Sequence, residues 1–102
     1  MYSFHLDVPQ PIEMYDKVLA AIKEAGLSAP PERILHLCVA TDTGFRVTEV
    51  WESHEAVDRY GEEVMRPTIA KVAGPAAVEA GPPPSLEFEL RGLQLGADRL
   101  VP

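Results

Sequence analysis

The sequence predicts one α+β domain of β-α-β-β-α-β order, a four-stranded antiparallel sheet with helices on one face. Three observations predict it. Residues alternate apolar and polar at both ends of the chain, over 2–8 and 85–91, which is the period of a strand. Two helical stripes lie between those ends. Two apolar runs, Arg33 to Thr41 and Phe45 to Trp51, face each other across Asp42-Thr43-Gly44, the chemistry of a hairpin turn. Strand-helix units on either side of a hairpin form the split β-α-β arrangement, in which the first and third strands are central.

Each element has a local reason. Tyr2, Phe4, Leu6 and Val8 share one side of the first strand and Ser3, His5 and Asp7 the other, until Pro9 and Pro11 end it. From Ile12, the apolar residues Tyr15, Val18, Leu19 and Ile22 recur at helical spacing. Glu13, Asp16, Lys17, Lys23 and Glu24 turn outward, Pro11 suits the first turn, and Gly26 suits the stop. Ala29-Pro30-Pro31-Glu32 connects to the hairpin. Ser53 caps a second helix whose inner stripe is Val57, Tyr60 and Val64. Pro67 predicts a kink or break there, with a short continuation through Ile69 and Val72. Ala76 to Ala80 has room for one helical turn between Gly74-Pro75 and Gly81-Pro82-Pro83-Pro84. In the last strand Leu86, Phe88 and Leu90 oppose Glu87, Glu89 and Arg91. Residues 92–102 read as a tail or an arm, so the domain is assigned to residues 1–91.

Composition excludes several classes of function. A chain of 102 residues, 46% hydrophobic and 25% charged, has the make-up of a single folded domain. Its formal charge of -7, with no basic stripe, would repel phosphate backbones and anionic lipid, so neither nucleic acid nor membrane is an expected partner. The lone Cys38 has no second cysteine to pair with, and no apolar stretch approaches a membrane span; a reducing cytoplasm is the expected location. The run Ile34-Leu35-His36-Leu37-Cys38-Val39 is apolar on both faces. Helices on one side leave the other face uncovered, which predicts burial by a second copy in a homodimer.

At Phe45-Arg46-Val47-Thr48-Glu49-Val50-Trp51-Glu52-Ser53-His54-Glu55-Ala56 the chain resembles the dimeric α/β-barrel superfamily of ferredoxin-like domains. Small proteins related to the antibiotic biosynthesis monooxygenases carry a similar strand ending in Trp-x-Ser before an acidic helix. The resemblance implies a homodimer and a site for a small phenolic or polyketide-like molecule, worked on without metal or organic cofactor, by proton abstraction or cofactor-free oxygenation. It equally admits a non-catalytic ligand-binding or assembly module, since one fold hosts many functions. In the haem-degrading branch a strand-one Asn, a Trp ending strand three and a His on the second helix build the site. Trp51 matches the second and Asp7 stands near the first, but 65–71 offers no His, so haem breakdown is disfavoured.

The candidate catalytic residues are His5, Asp7 and His36. His5 and Asp7 share a strand face, and pairing of the first and last strands is expected to bring Glu87 and Glu89 alongside; His36 joins if its register agrees. A His oriented by a carboxylate is a usable general base. Trp51 and Tyr60 are the expected walls for a ligand, with Glu87 and Glu89 as polar contacts. His5, Asp7 and His36 also match a two-histidine, one-carboxylate metal triad, but only by residue type, and no metal is expected. Cys38 reads as a small buried hydrophobe, and His54 as a surface residue of a helix start.

Overall fold

Residues 1–96 are described in full, and 98–101 by their backbone, in the computed structural model. β1 (Tyr2–Val8), β2 (Arg33–Thr41), β3 (Gly44–Trp51) and β4 (Ser85–Glu87) form an antiparallel sheet in the order β2-β3-β1-β4. The first and third strands are central, as the sequence predicts. α1 (Ile12–Glu24), α2 (His54–Tyr60), α3 (Arg66–Ala73) and the short α4 (Pro75–Ala80) make up the helices.

Local chemistry sets the boundaries. α1 ends in a Schellman turn: Gly26 has φ 75°, its N–H bonds the Lys23 carbonyl, and the Leu27 N–H reaches back to Ile22. Ser53 Oγ accepts the Ala56 N–H at 3.1 Å and starts α2. Gly44 follows the two-residue Asp42–Thr43 turn, and a Cβ there would stand 2.0 Å from the Val8 carbonyl oxygen. Only glycine lets the hairpin end lie against the exit of β1.

Two predicted elements differ. Pro67 does not break the helix; the chain runs from α2 into α3 through a π turn at Gly61–Met65. There the Arg66 N–H bonds the Gly61 carbonyl, five residues back, immediately before the proline that has no donor to continue the ladder. The last strand is also shorter than its alternation suggests. After Glu87 the link to β1 is carried by Phe88 alone, whose N–H bonds the Ser3 carbonyl and whose carbonyl accepts the Ser3 hydroxyl at 2.7 Å, because the ladder has almost reached the start of that strand. Residues beyond it form a separate two-stranded hairpin of β5 (Leu93–Leu95) and β6 (Asp98–Val101).

Paired residues share a sheet face, so the register sorts every strand residue. Tyr2, Phe4, Leu6 and Val8 lie with Phe45, Val47, Glu49 and Trp51, and with His36, Cys38 and Ala40 of β2. Helices cover this face. Ala56, Val57 and Tyr60 of α2 pack on Phe4 and Trp51, while Tyr15 of α1 meets Phe45 edge-on, ring centroids 5.8 Å apart. Trp51 is only 1% exposed, and removing an indole from water contributes about 4 to 6 kcal/mol.

The opposite face carries Ser3, His5, Asp7, Leu35, Leu37, Val39, Arg46, Thr48, Val50 and Leu86. Ser3 and Val50 are buried, but Leu37 is 50%, Val39 44% and Leu86 60% exposed, and Phe88 beside Ser3 is 36% exposed. A sheet face this apolar is unlike one built only to meet water.

Candidate functional site

On the helix-covered face, three polar side chains converge on one buried carboxylate. Glu49, in the middle of β3, is 8% exposed. Its Oε1 accepts the Trp51 Nε1–H at 2.8 Å; its Oε2 meets His36 Nδ1 in a close contact and Arg33 Nη1 at 3.4 Å. The other imidazole nitrogen of His36, Nε2, lies 2.6 Å from the Tyr15 hydroxyl on α1. Tyr15 and His36 also lie nearly parallel, 11° apart. A continuous chain Tyr15–His36–Glu49 therefore runs from helix to sheet, with no buried side-chain polar atom unpaired among the described residues.

A β-bulge makes this convergence. Arg33 pairs with Trp51 and Leu35 with Val50, so Ile34 is an extra residue on β2. Without it Arg33 and His36, three positions apart, would face opposite sides; with it both reach Glu49. The Arg33 guanidinium lies 5.9 Å from the Trp51 ring centre and 5.7 Å from that of Tyr60. The two aromatic rings are themselves 5.5 Å apart.

Burial pushes the Tyr15 phenol above the ordinary 10.0, with Cys38, Glu49 and Asp16 adding to the effect and Arg33 opposing it. Burial likewise raises the Cys38 thiol, reinforced by Asp16, so it is a protonated neighbour and a poor nucleophile.

A cleft of about 180 Å³ opens beside this network. Trp51 and Tyr60 wall it, with Leu27 and Pro30 from the α1–β2 connection, Ala56 from α2 and Val64 from the π turn. Its rim carries Glu63 and the Arg59–Glu32 ion pair, 2.7 Å long. His36 and Glu49 do not line it; Trp51 and Tyr60 are what cleft and network share.

The predicted site residues divide between the faces. His5 and Asp7 do lie on one side, but it is the side away from the helices. There Asp7 forms a two-pronged ion pair with Arg46 at 2.8 and 3.1 Å, and that hydrogen bonding holds its carboxyl below the usual range. His5 is half-buried beside Phe88, with ring centroids 6.0 Å apart. Glu87 does not join them. It pairs with Phe4, so Leu86 is the residue of β4 that stands opposite His5, and Glu87 instead accepts the Tyr2 hydroxyl at 2.8 Å on the other face. Glu89 lies past the paired part of β4, on the surface with Arg91. His36 faces the helices, so the metal triad of His5, Asp7 and His36 does not assemble; among the described residues no group of His, Cys, Asp or Glu is placed to hold a metal ion. His54 is exposed as expected, yet stacks on Tyr2 at 4.2 Å.

Tyr15 and Glu49 were not singled out from the sequence. Tyr15 reads as one more residue of an apolar stripe. Glu49 did carry a signal, since it is the one carboxylate among Phe45, Val47 and Trp51 on an inward stripe.

No protein-family model matches the chain, and no curated protein or solved structure is significantly similar to it. Among the described residues no helix is long and apolar enough to cross a membrane.

Proposed function

We propose that the chain is a homodimeric small-molecule enzyme or ligand-binding protein of the dimeric α/β-barrel, antibiotic biosynthesis monooxygenase-like type, working without metal or organic cofactor. The observation that carries this reading is the position of Trp51. One part of the indole walls the cleft, and its Nε1–H is committed to Glu49, so a molecule in the cleft lies one residue from a polar network with acid–base groups. The cleft is comparable to a cavity that accepts a single aromatic ring, on the order of 150 Å³. A phenol or a compact ring ketone suits its apolar walls.

The homodimer is supported by the uncovered sheet face. Leu37, Val39, Leu86 and Phe88 lie there, and a second copy placed face to face would remove them from water.

Trp51 is the single tryptophan of the chain, so its fluorescence reports the cleft directly. Titration with phenols and ring ketones is expected to quench it saturably, and Tyr60→Ala to weaken the binding about tenfold or more through loss of an aromatic wall. Quenching that never saturates with any of them would defeat the reading. The second reading, a non-catalytic dimeric module, is favoured by one observation: Phe4, Phe45 and Trp51 fill the space under the helices, and the cleft lies at its margin. Saturable binding with no turnover would select it.

A further inference from the structure

We infer that the cleft selects a ring whose arm carries a positive charge, a phenol or ring ketone bearing an amine, with Glu63 as the residue that recognises the charge. The inference rests on the proposed small-molecule reading and narrows its ligand. The cleft is apolar inside and charged at its mouth. Trp51, Ala56, Tyr60 and Val64 give it walls without charge. Among the described residues three charged side chains line it, Glu32, Arg59 and Glu63, two carboxylates against one guanidinium. Arg59 Nη2 bonds Glu32 Oε2 at 2.7 Å, so the cation of the rim is already matched, and it ties α2 to the α1–β2 connection. Glu63 is left over. Among the described residues no Lys, Arg or His forms an ion pair with it.

A second cation lies near but is matched as well. The Arg33 guanidinium stands 5.9 Å from the Trp51 ring centre and 5.7 Å from that of Tyr60, yet Arg33 does not line the cleft, and it faces the Glu49 carboxylate at 3.4 Å. The cleft therefore keeps a net negative charge at its mouth. The formal charge of the whole chain, -7, adds a field of the same sign.

Position sets the shape of the ligand. Glu63 follows Tyr60 by three residues, within the π turn Gly61–Met65, and is exposed, whereas Trp51 is only 1% exposed. A ring fits inside, against Trp51 and Tyr60, and a charged arm stays at the rim, where water still solvates it and no ion has to be buried. A cationic arm meets Glu63 there as an opposite charge. A carboxylate arm meets it as a like charge, and could reach Arg59 only by displacing Glu32. A neutral ring gains the walls alone. An exposed pair of this kind is worth about three- to fivefold in affinity at low salt, and less as salt rises.

Three probes that share one phenol ring test the charge preference: tyramine as the cation, 4-ethylphenol as the neutral form and 4-hydroxyphenylacetate as the anion. Trp51 fluorescence, excited beyond the absorption of the phenols, reads their binding. Dissociation constants should rise in that order, with tyramine about three- to fivefold tighter than 4-ethylphenol at low ionic strength and the gap closing as salt is added. Glu63→Gln should erase the advantage of tyramine and leave 4-ethylphenol unchanged. Glu62→Gln removes the neighbouring carboxylate, which pairs with Arg66 outside the cleft, and should preserve the advantage. 4-Ethylphenol binding the wild type as tightly as tyramine overturns the charge preference and leaves the small-molecule reading standing. Equal losses in Glu62→Gln and Glu63→Gln overturn the place given to Glu63. Absence of saturable quenching by all three probes overturns both the preference and the reading it rests on.

Discussion

Glu49→Gln tests the network where it is most constrained. The side chain keeps its size but exchanges one acceptor oxygen for an NH2 donor. Oε1 now accepts from Trp51 Nε1 at 2.8 Å, and Oε2 receives His36 Nδ1 and, at 3.4 Å, Arg33 Nη1. If the amide oxygen stays with Trp51, the NH2 faces the His36 and Arg33 donors; if it turns to them, the NH2 faces the indole N–H. At least one donor therefore loses its acceptor in either orientation. His36 escapes by moving its hydrogen to Nε2, but then faces the Tyr15 hydroxyl donor to donor. The Arg33 bond is long and contributes little to the sum. With Glu49 8% exposed, water screens the loss poorly, and one charge-assisted hydrogen bond is worth about 1.5 to 3 kcal/mol. Urea denaturation at fixed protein concentration should show a loss of about 2 kcal/mol, equivalent to a fall in Tm of roughly 8 to 16 °C for a domain of this size. A change below about 0.5 kcal/mol would show that the Glu49 carboxylate is not held by Trp51 and His36 as described.

Leu37→Lys places a charge on the uncovered sheet face at a position already 50% exposed, so the fold is expected to survive and the dimer to dissociate; sedimentation should move to the 11.2 kDa monomer, and a wild type already monomeric would defeat the dimer. Gly44→Ala forces a Cβ to within 2.0 Å of the Val8 carbonyl and should cost more than about 2 kcal/mol in thermal or chemical unfolding. Tyr15 should ionise above the ordinary 10.0 in an alkaline absorbance titration. Folded Tyr15 keeps its proton where the unfolded chain has lost it, so this contribution to stability is intact below that value and is lost as pH rises beyond it; an ordinary titration in the wild type would contradict the burial. His5→Ala should leave saturable quenching of Trp51 unchanged, because the two side chains lie on opposite sheet faces. A tenfold loss of affinity would show that the cleft is not the binding site.

The fold was legible because its signals are local. Alternation set β1, Gly26 stopped α1, Ser53 started α2, and the Asp42-Thr43-Gly44 turn joined β2 to β3 without reference to anything distant. Three of the site's residues, His36, Trp51 and Tyr60, were legible too. They stood out by type, and Glu49 could have been found as a carboxylate on an apolar stripe.

Tertiary structure decided which residues meet. Period-two alternation places His5 with Asp7 but is silent on which face the helices will cover, and that choice turned both outward. The pairing of β4 with β1 put Leu86, not Glu87, opposite His5, since a shift of one residue in register exchanges the faces. The bulge at Ile34 is a third such decision: it turns Arg33 to the side of His36, and α1 then brings Tyr15 across from a segment 21 residues away. Sequence by itself determined the elements, because each is stabilised by neighbours along the chain. The site depends on register, on a bulge and on the covered face, each of which is fixed only when segments distant in sequence pack together.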